Sequence, residues 1–516
     1  RSFYQLLLIV FVGLPVGVLM LIFPSLRRRF FSKKVGDQNL SKTSGVRKEL
    51  ADKARAQLDF LLEVLQATRE GKGNSEVVYS LLAANLDKLD GDFIAVLQNW
   101  GAQTFSKVEA SRGEELARVL SNFACLISNF SLGNKATNLE ISLACYKISL
   151  SVFSRDSYPE IWATIQNNLG NLYQDRIQGE MATNMEMAIA AFQSALGVRT
   201  KDAFPQEIKN SEWEAGVLKS LGSAYHSLGQ YEKAVDFFQQ SLPIYQEIKN
   251  GQGEVTVLQN LRLLFGELKN RQGEVDVLNR LALLFGELKN RQGEGGVLLL
   301  LGLTYESQGQ YERAIDFYQQ SLHLFGELKN REMEVAVQSN LVAVLILLGL
   351  TDYSQGQYEK SIDLFEQSLL ICQNIKNREW EAYVLDNLGN VYNSLGQYEK
   401  AIDLFQLSLP ILRELKNCEG EVAVLNNLAL LFGELKDPQG KADVLNNLGN
   451  AYLPQGQYEK AIDFYEQSLT VSREIKNPHL EADVLNNLGN AYLPQGQYEK
   501  AIDFYEQSLT VSREIK

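Results

Sequence analysis

Histidine is nearly absent from this chain, with three residues (His226, His323 and His479) in 516. Its four cysteines, Cys125, Cys145, Cys372 and Cys418, lie far apart with no paired spacing. Such scarcity argues against a disulfide framework, a zinc knuckle or histidine-based acid–base chemistry, and fits a reducing compartment. Walker loops, G-x-S-x-G elbows, H-E-x-x-H pairs and paired C-x-x-C motifs are missing as well. No catalytic residue, cofactor or metal site is therefore expected, and the chain reads as a non-enzyme. A basic excess is also lacking, because 50 Lys+Arg face 63 Asp+Glu for a net charge of −13. Phosphate binding needs a basic face, so nucleic acid is not the expected partner. Hydrophobic residues at 45% and charged ones at 22% exclude a disordered, collagenous or wholly membrane-embedded chain.

The first positive feature is an uncharged run. From Phe3 to Phe23, 15 of 21 positions are Leu, Ile, Val or Phe. At about 1.5 Å per residue that length spans a hydrocarbon core, and the glycines and Pro15 within it are tolerated in membrane helices. Arg27, Arg28, Arg29, Lys33 and Lys34 come next, so the positive-inside rule places the rest in the cytoplasm. Residues 1–34 are read as a transmembrane helix with a basic stop, the sole helix of its kind or the last of several. Residues 35–137 are read as a linker, polar over Lys33–Ser44, and four irregular helices within Val46–Phe130.

Repeats organise the remainder. The string G-Q-Y-E-K/R begins at Gly229, Gly309, Gly356, Gly396, Gly456 and Gly496, at spacings of 80, 47, 40, 60 and 40. Segments 442–476 and 482–516 are identical at all 35 positions. Within one repeat, Val444, Leu445, Leu448, Ala451 and Tyr452 form one apolar stripe at helical spacing. Tyr458, Ala461, Ile462, Tyr465 and Leu469 form a second. Pro454 ends the first helix near Leu453, Gln455-Gly456-Gln457 turns the chain, and Asn477-Pro478 and Asp437-Pro438 start new helices as cap and first residue. The unit is a helical hairpin. Gly449 opposite Ala461 allows close approach of its two backbones, and Gly222/Ala234, Gly302/Ala314, Gly349/Ser361, Gly389/Ala401 and Gly489/Ala501 repeat the pair.

The pattern L-G-x-x-Y…G-x-Y-E-x-A-I…S-L resembles the tetratricopeptide repeat (TPR), and its period of 40 looks like the long-helix subtype found in kinesin light chains. The resemblance covers about Asn138 to Lys516. It implies an all-α solenoid of helical hairpins, wound as a right-handed superhelix behind the transmembrane helix. Residues 211–516 are the 40-residue array, with 20-residue half-units at 261–300 and 428–447. Residues 138–210 are atypical repeats of period 46, in which Asn138-Leu-Glu and Tyr158-Pro159 recur as Asn184-Met-Glu and Phe204-Pro205. These resemble the leading repeats of large cyanobacterial proteins that often end in a CHAT domain, a caspase-like cysteine protease. None of the three histidines stands in a catalytic setting with a cysteine, so that resemblance implies no protease in this sequence.

The half-units Leu261–Arg280, Leu281–Leu300 and Leu428–Asn447 each supply one helix and a turn. Their equivalents of the repeat glycine are Arg262, Ala282 and Ala429, which fits a missing second helix. A single half-unit should invert the up–down parity of the helices C-terminal to it, with Pro438 and Gly440 as a bend. Seven extra residues, Leu341–Leu347, are read as a lengthened buried helix.

In a TPR array the first helices line the concave groove. Positions two before and two after the motif leucine share one helix face. They are Asn167/Asn171, Asp386/Asn390, Asn446/Asn450 and Asn486/Asn490. A carboxamide offers both donor and acceptor, so such a ladder can hold an extended peptide backbone, as the resemblance implies, or simply solvate the helix. Leu299/Leu303 and Gln259/Leu263 interrupt it, and that centre either binds apolar side chains or packs on itself. His226 is read as an exposed helix residue, Cys125 and Cys145 as small core residues, and the Tyr-Glu-Lys charges as a solvated face. The expected role is a membrane-tethered scaffold, anchored through residues 3–23, that binds a protein or peptide. The competing reading is the regulatory arm of a larger enzyme of the CHAT protease or kinase type.

Overall fold

The structure is a computed structural model that describes residues 38–71, 74–198 and 208–515. The run Phe3–Phe23 and its basic stop lie outside the described residues. Twenty-two α-helices and no strand occur among the described residues. Two compact units divide the chain, one ending at Val277 and one starting at Leu278.

The first unit opens with α1 (Gln38–Glu70), α2 (Ser75–Ala83), α3 (Gly91–Phe105), α4 (Ala110–Asn129) and α5 (Lys135–Ser149). Helix α1 already covers Gln38–Ser44, inside the segment read as polar linker. Phe60, Val64, Phe93, Leu120, Phe123 and Ile127 share one core. Cys145 joins them, whereas Cys125 is exposed, contrary to the core reading. On α4 the buried stripe runs through Leu120, Phe123, Ala124 and Ile127, and position 125 falls off that face.

Helices α6 (Pro159–Asp175), α7 (Met181–Leu196) and α8 (Ile208–Ser227) come next. The repeated asparagines at spacing 46 have the same job. Asn138 donates through Nδ2 to the carbonyl of Leu132 at 3.0 Å, and Asn184 to that of Gln178 at 2.9 Å. Each is buried and ties down the loop entering its helix. The unit continues with α9 (Tyr231–Glu247), α10 (Gly251–Glu267) and the start of α11 (Arg271–Glu287).

In the second unit stand α12 (Arg291–Ser307), α13 (Tyr311–Glu327), α14 (Arg331–Ser354), α15 (Tyr358–Ile375), α16 (Arg378–Ser394) and α17 (Tyr398–Glu414). After them stand α18 (Cys418–Glu434), α19 (Pro438–Tyr452), α20 (Tyr458–Glu474), α21 (Pro478–Tyr492) and α22 (Tyr498–Glu514). From α12 onward, consecutive helices pack on one another.

Two kinds of joint connect the array. After a first-type helix, a glycine such as Gly396 (φ 70°) takes the left-handed conformation, and Gln397 N–H returns to the Tyr392 carbonyl at 2.9 Å. Before every first-type helix from α10 to α21 the left-handed residue is a lysine: Lys249, Lys269, Lys289, Lys329, Lys376, Lys416, Lys436 or Lys476, at φ 53–58°. A capping Asn or Asp comes next. Asn417 Oδ1 accepts from Gly420 N–H at 2.9 Å, and Asp437 Oδ1 from Gly440 N–H at 3.1 Å.

These caps relocate the half-units. Their boundaries at Leu261, Leu281 and Leu428 fall inside helices, and the module runs from one capping residue to the next lysine. Pro438 and Gly440, read as a bend, form the first turn of α19 behind an ordinary cap.

Helix α14 keeps the lengthened-helix reading. It is long and apolar enough to cross a membrane by length and composition, with mean hydropathy 1.9. Leu341, Val344 and Leu345 nevertheless pack with Tyr318 and Phe325, while Val342 and Ile346 pack with Phe365 and Leu388. Seven residues make two turns to within about 20°. The insertion therefore leaves the Asn330 cap and Gly349 on their usual faces.

Candidate functional site

Each repeat glycine lies beneath an aromatic ring sixteen residues on. A Cβ on Gly449 would lie 2.3 Å from the Tyr465 ring, and one on Gly389 2.6 Å from the Phe405 ring. The small residue was expected to admit the second backbone, and at Gly349 it does, since its carbonyl accepts from Ser361 Oγ at 2.8 Å. The larger tenant is the ring. Where the glycine is replaced, at Arg262, Ala282 and Ala429, the residue sixteen on is Leu278, Leu298 or Leu445.

A tyrosine in that ring position needs an acceptor for its hydroxyl. Tyr465 donates to Asn450 Oδ1 and Tyr505 to Asn490 Oδ1, both at 2.8 Å. Burial pushes the Tyr465 phenol up to about 12. Tyr318 donates to Glu306 at 2.5 Å. Two of the expected ligand-facing asparagines thus also serve the fold.

Asn446 and Asn390 each take part in a carboxamide contact between successive first-type helices. Asn487 Nδ2 of α21 donates to Asn446 Oδ1 of α19 at 3.0 Å, and Asn427 Nδ2 of α18 donates to Asn390 Oδ1 of α16 at 3.2 Å. Asn427 and Asn487 escaped the sequence reading, although each directly precedes the motif leucine. Among the described residues no side-chain hydrogen bond joins the carboxamides of α18 to those of α19, so the ladder is in two pieces. Asn450, Asn486 and Asn490 are exposed, and Asn446, Asn390 and Asp386 are half-buried. Asn167 (half-buried) and Asn171 (exposed) stand on α6 of the first unit, beside Asn168, which donates to Tyr146 Oη at 3.1 Å.

Asp386 is electrostatically distinct. Its Oδ1 is buried with no hydrogen-bond partner. Burial pushes its carboxyl up to about 6, against a smaller opposing effect of the hydrogen bond with Asn390.

Two of the interrupting leucines face outward, whereas Leu299 is half-buried against the core around Ala314 and Tyr318. Leu303 is 38% exposed in the second unit and Leu263 47% in the first, so neither is packed away. Leu430 takes the corresponding place on α18 at 71%. The Tyr-Glu-Lys lysines do more than meet solvent. Lys460 lies 5.2 Å over the Tyr452 ring, which stacks at 5.5 Å on Phe464, and Lys500, Tyr492 and Phe504 repeat this.

Among the described residues no three His, Cys, Asp or Glu side chains gather as for a metal. His226 is half-buried, edge-on to Tyr231, and His323 lies 3.3 Å from Glu327. Burial pushes the Cys372 thiol up to about 11 and the Cys145 thiol higher still, which keeps both protonated.

Family models of the tetratricopeptide repeat match residues 340–414, 386–439 and 441–514, and a second such model matches 217–247 and 297–332. No curated protein matches the sequence. Similar solved structures include a signal transduction ATPase with numerous domains and a tetratricopeptide repeat sensor from Pyrococcus horikoshii. It is 18% identical over 68% of this chain with a TM-score of 0.30, and the match spans only 54% of that protein. Aspartyl phosphate phosphatase F from Bacillus subtilis is 12% identical over 82% of this chain and 94% of its own (TM-score 0.28). A candidate kinesin light chain from Podosopora anserina, with nearly identical TPR-like repeats, is 18% identical over 42% and 95% (TM-score 0.18). Proteins built of this repeat bind protein or peptide partners. On the matched repeats and the capped hairpins that fill them, the chain is a tetratricopeptide-repeat protein.

Proposed function

We propose that this protein is a membrane-tethered interaction scaffold that holds an extended segment of a partner protein along its first-type helices. The observation that carries the reading is the state of the carboxamides. Asn446, Asn450 and Asn490 spend an acceptor on the fold, and their amide N–H groups, with the whole side chain of Asn486, are left for a ligand. A row of donors suits the carbonyls of an extended backbone and is indifferent to its side chains. Exposed Leu303 and Leu430 add apolar contact, and Asp386 adds a carboxylate. The Phe3–Phe23 run is the tether, with the repeats on the cytoplasmic side.

Asn446→Ala with Asn486→Ala tests the binding role without stranding a tyrosine hydroxyl. A partner recovered by affinity capture should be retained several-fold less, at unchanged helicity. Equal retention would return these residues to solvating their helices. Carbonate extraction and protease protection test the tether, which release from the membrane or digestion of the repeats from outside intact cells would refute.

A further inference from the structure

Helix α16 stands inside the array, with described helices before and after it, and its groove face departs from the pattern of its neighbours. Where α18, α19 and α21 carry Ala423, Asp443 and Asp483, α16 carries Tyr383. Where they carry Asn426, Asn446 and Asn486, it carries Asp386. Tyr383, Asp386 and Asn390 are three and four residues apart in turn, so they share one helix face. The Tyr383 side chain is 50% exposed on that face. Asn390 gives its oxygen to Asn427 and so meets Asp386 through its amide. The Oδ1 of Asp386 is left without a hydrogen bond, and no lysine or arginine among the described residues pairs with the carboxylate. An ionised acceptor held short of donors favours a cationic one.

We propose that the partner segment held on α16 carries an arginine, its guanidinium stacked on the Tyr383 ring and hydrogen-bonded to Asp386. The inference rests on the scaffold reading above and names what that stretch of groove selects. Arginine suits the pair better than lysine does. Its planar group stacks on an aromatic face while its fork of N–H donors meets a carboxylate. The torsion that turns an aspartate carboxylate is broad, so Oδ1 swings out to meet those donors at little cost.

The probe is a phage-displayed library of random dodecapeptides, selected on the full chain in detergent micelles at about pH 7.5, where Asp386 is ionised. Enriched peptides should carry arginine. In a synthetic copy of one, citrulline keeps the shape of that arginine without its charge and should weaken binding about tenfold. Lysine in its place should recover only part of the loss. Asp386→Asn should weaken the arginine peptide by a similar factor and leave the citrulline peptide unchanged. This variant removes a half-buried charge, so unfolding is not the cause of the loss. Tyr383→Ala should weaken binding about two- to fivefold, and Tyr383→Phe should not. A pool without arginine enrichment, or arginine peptides indifferent to Asp386→Asn, would overturn the inference. The scaffold reading survives that result if the same peptides still lose affinity with Asn446→Ala and Asn486→Ala. An empty pool would overturn both.

Discussion

Hairpins α16–α17 and α19–α20 set an aromatic ring against the same glycine and differ there by one hydroxyl. In α19–α20 the ring is Tyr465, and its hydroxyl takes the oxygen of Asn450. In α16–α17 the ring is Phe405, and the equivalent Asn390 turns to Asn427 of the next first-type helix and to Asp386. The hairpins also differ four residues earlier, where α19 has Asn446, which accepts from Asn487 of the next first-type helix, and α16 has Asp386.

The comparison breaks most severely if the glycine is filled. Gly449→Ala should destabilise α19–α20 by about 2–3 kcal/mol, because the buried ring has to move. Hydrogen-exchange protection of those two helices reads the loss. Adding Tyr465→Leu, after the natural pair Ala429 and Leu445, should recover most of it.

Asp386→Asn should act oppositely and only in the deprotonated range. An unfolded aspartate titrates at about 4 and the folded one at about 6. The folded state therefore binds the extra proton between those values. The penalty is absent below about pH 4 and fully present above about pH 6, where Asp386→Asn should add about 1–3 kcal/mol. Melting curves at pH 7.5 and pH 4 distinguish this from a pH-independent gain.

Asn450→Ala leaves a buried tyrosine hydroxyl unmatched and should cost about 1–2 kcal/mol, while Asn450→Ala with Tyr465→Phe should approach the stability of the parent. Asn390→Ala, which strands no tyrosine, should cost less, and denaturant titration of the three variants ranks them. The smallest effect belongs to the joints. Lys436→Gly relieves a left-handed non-glycine residue and should stabilise by about 0.5–1 kcal/mol, read as a rise in thermal midpoint.

The hairpins were legible because their signals are local. Pro454 stops a helix, Gly456 turns the chain, and Asn477-Pro478 starts the next helix. Lysine as the left-handed residue was not legible, since nothing in its side chain announces that conformation; only its place before a capping asparagine does. The ring above each glycine lies sixteen residues away, beyond any helical periodicity. Within the expected peptide-facing row, Asn450 and Asn490 answer hydroxyls on another helix, which no local pattern announces. Apolar Leu303 and Leu430 carried no local sign of whether a neighbour covers them.

The lysine joint has a genetic consequence. It comes after a second-type helix at Lys416 and after a first-type helix at Lys436 with nearly the same backbone angle, φ 55° at both. A stretch of DNA encoding one helix and one joint, about twenty codons from one capping residue to the next, can accordingly be duplicated or lost in frame, and both new ends meet a connector they already fit. Selection on such a gene need not wait for whole hairpins. Length can drift by single helices, as the three consecutive first-type helices α10, α11 and α12 record.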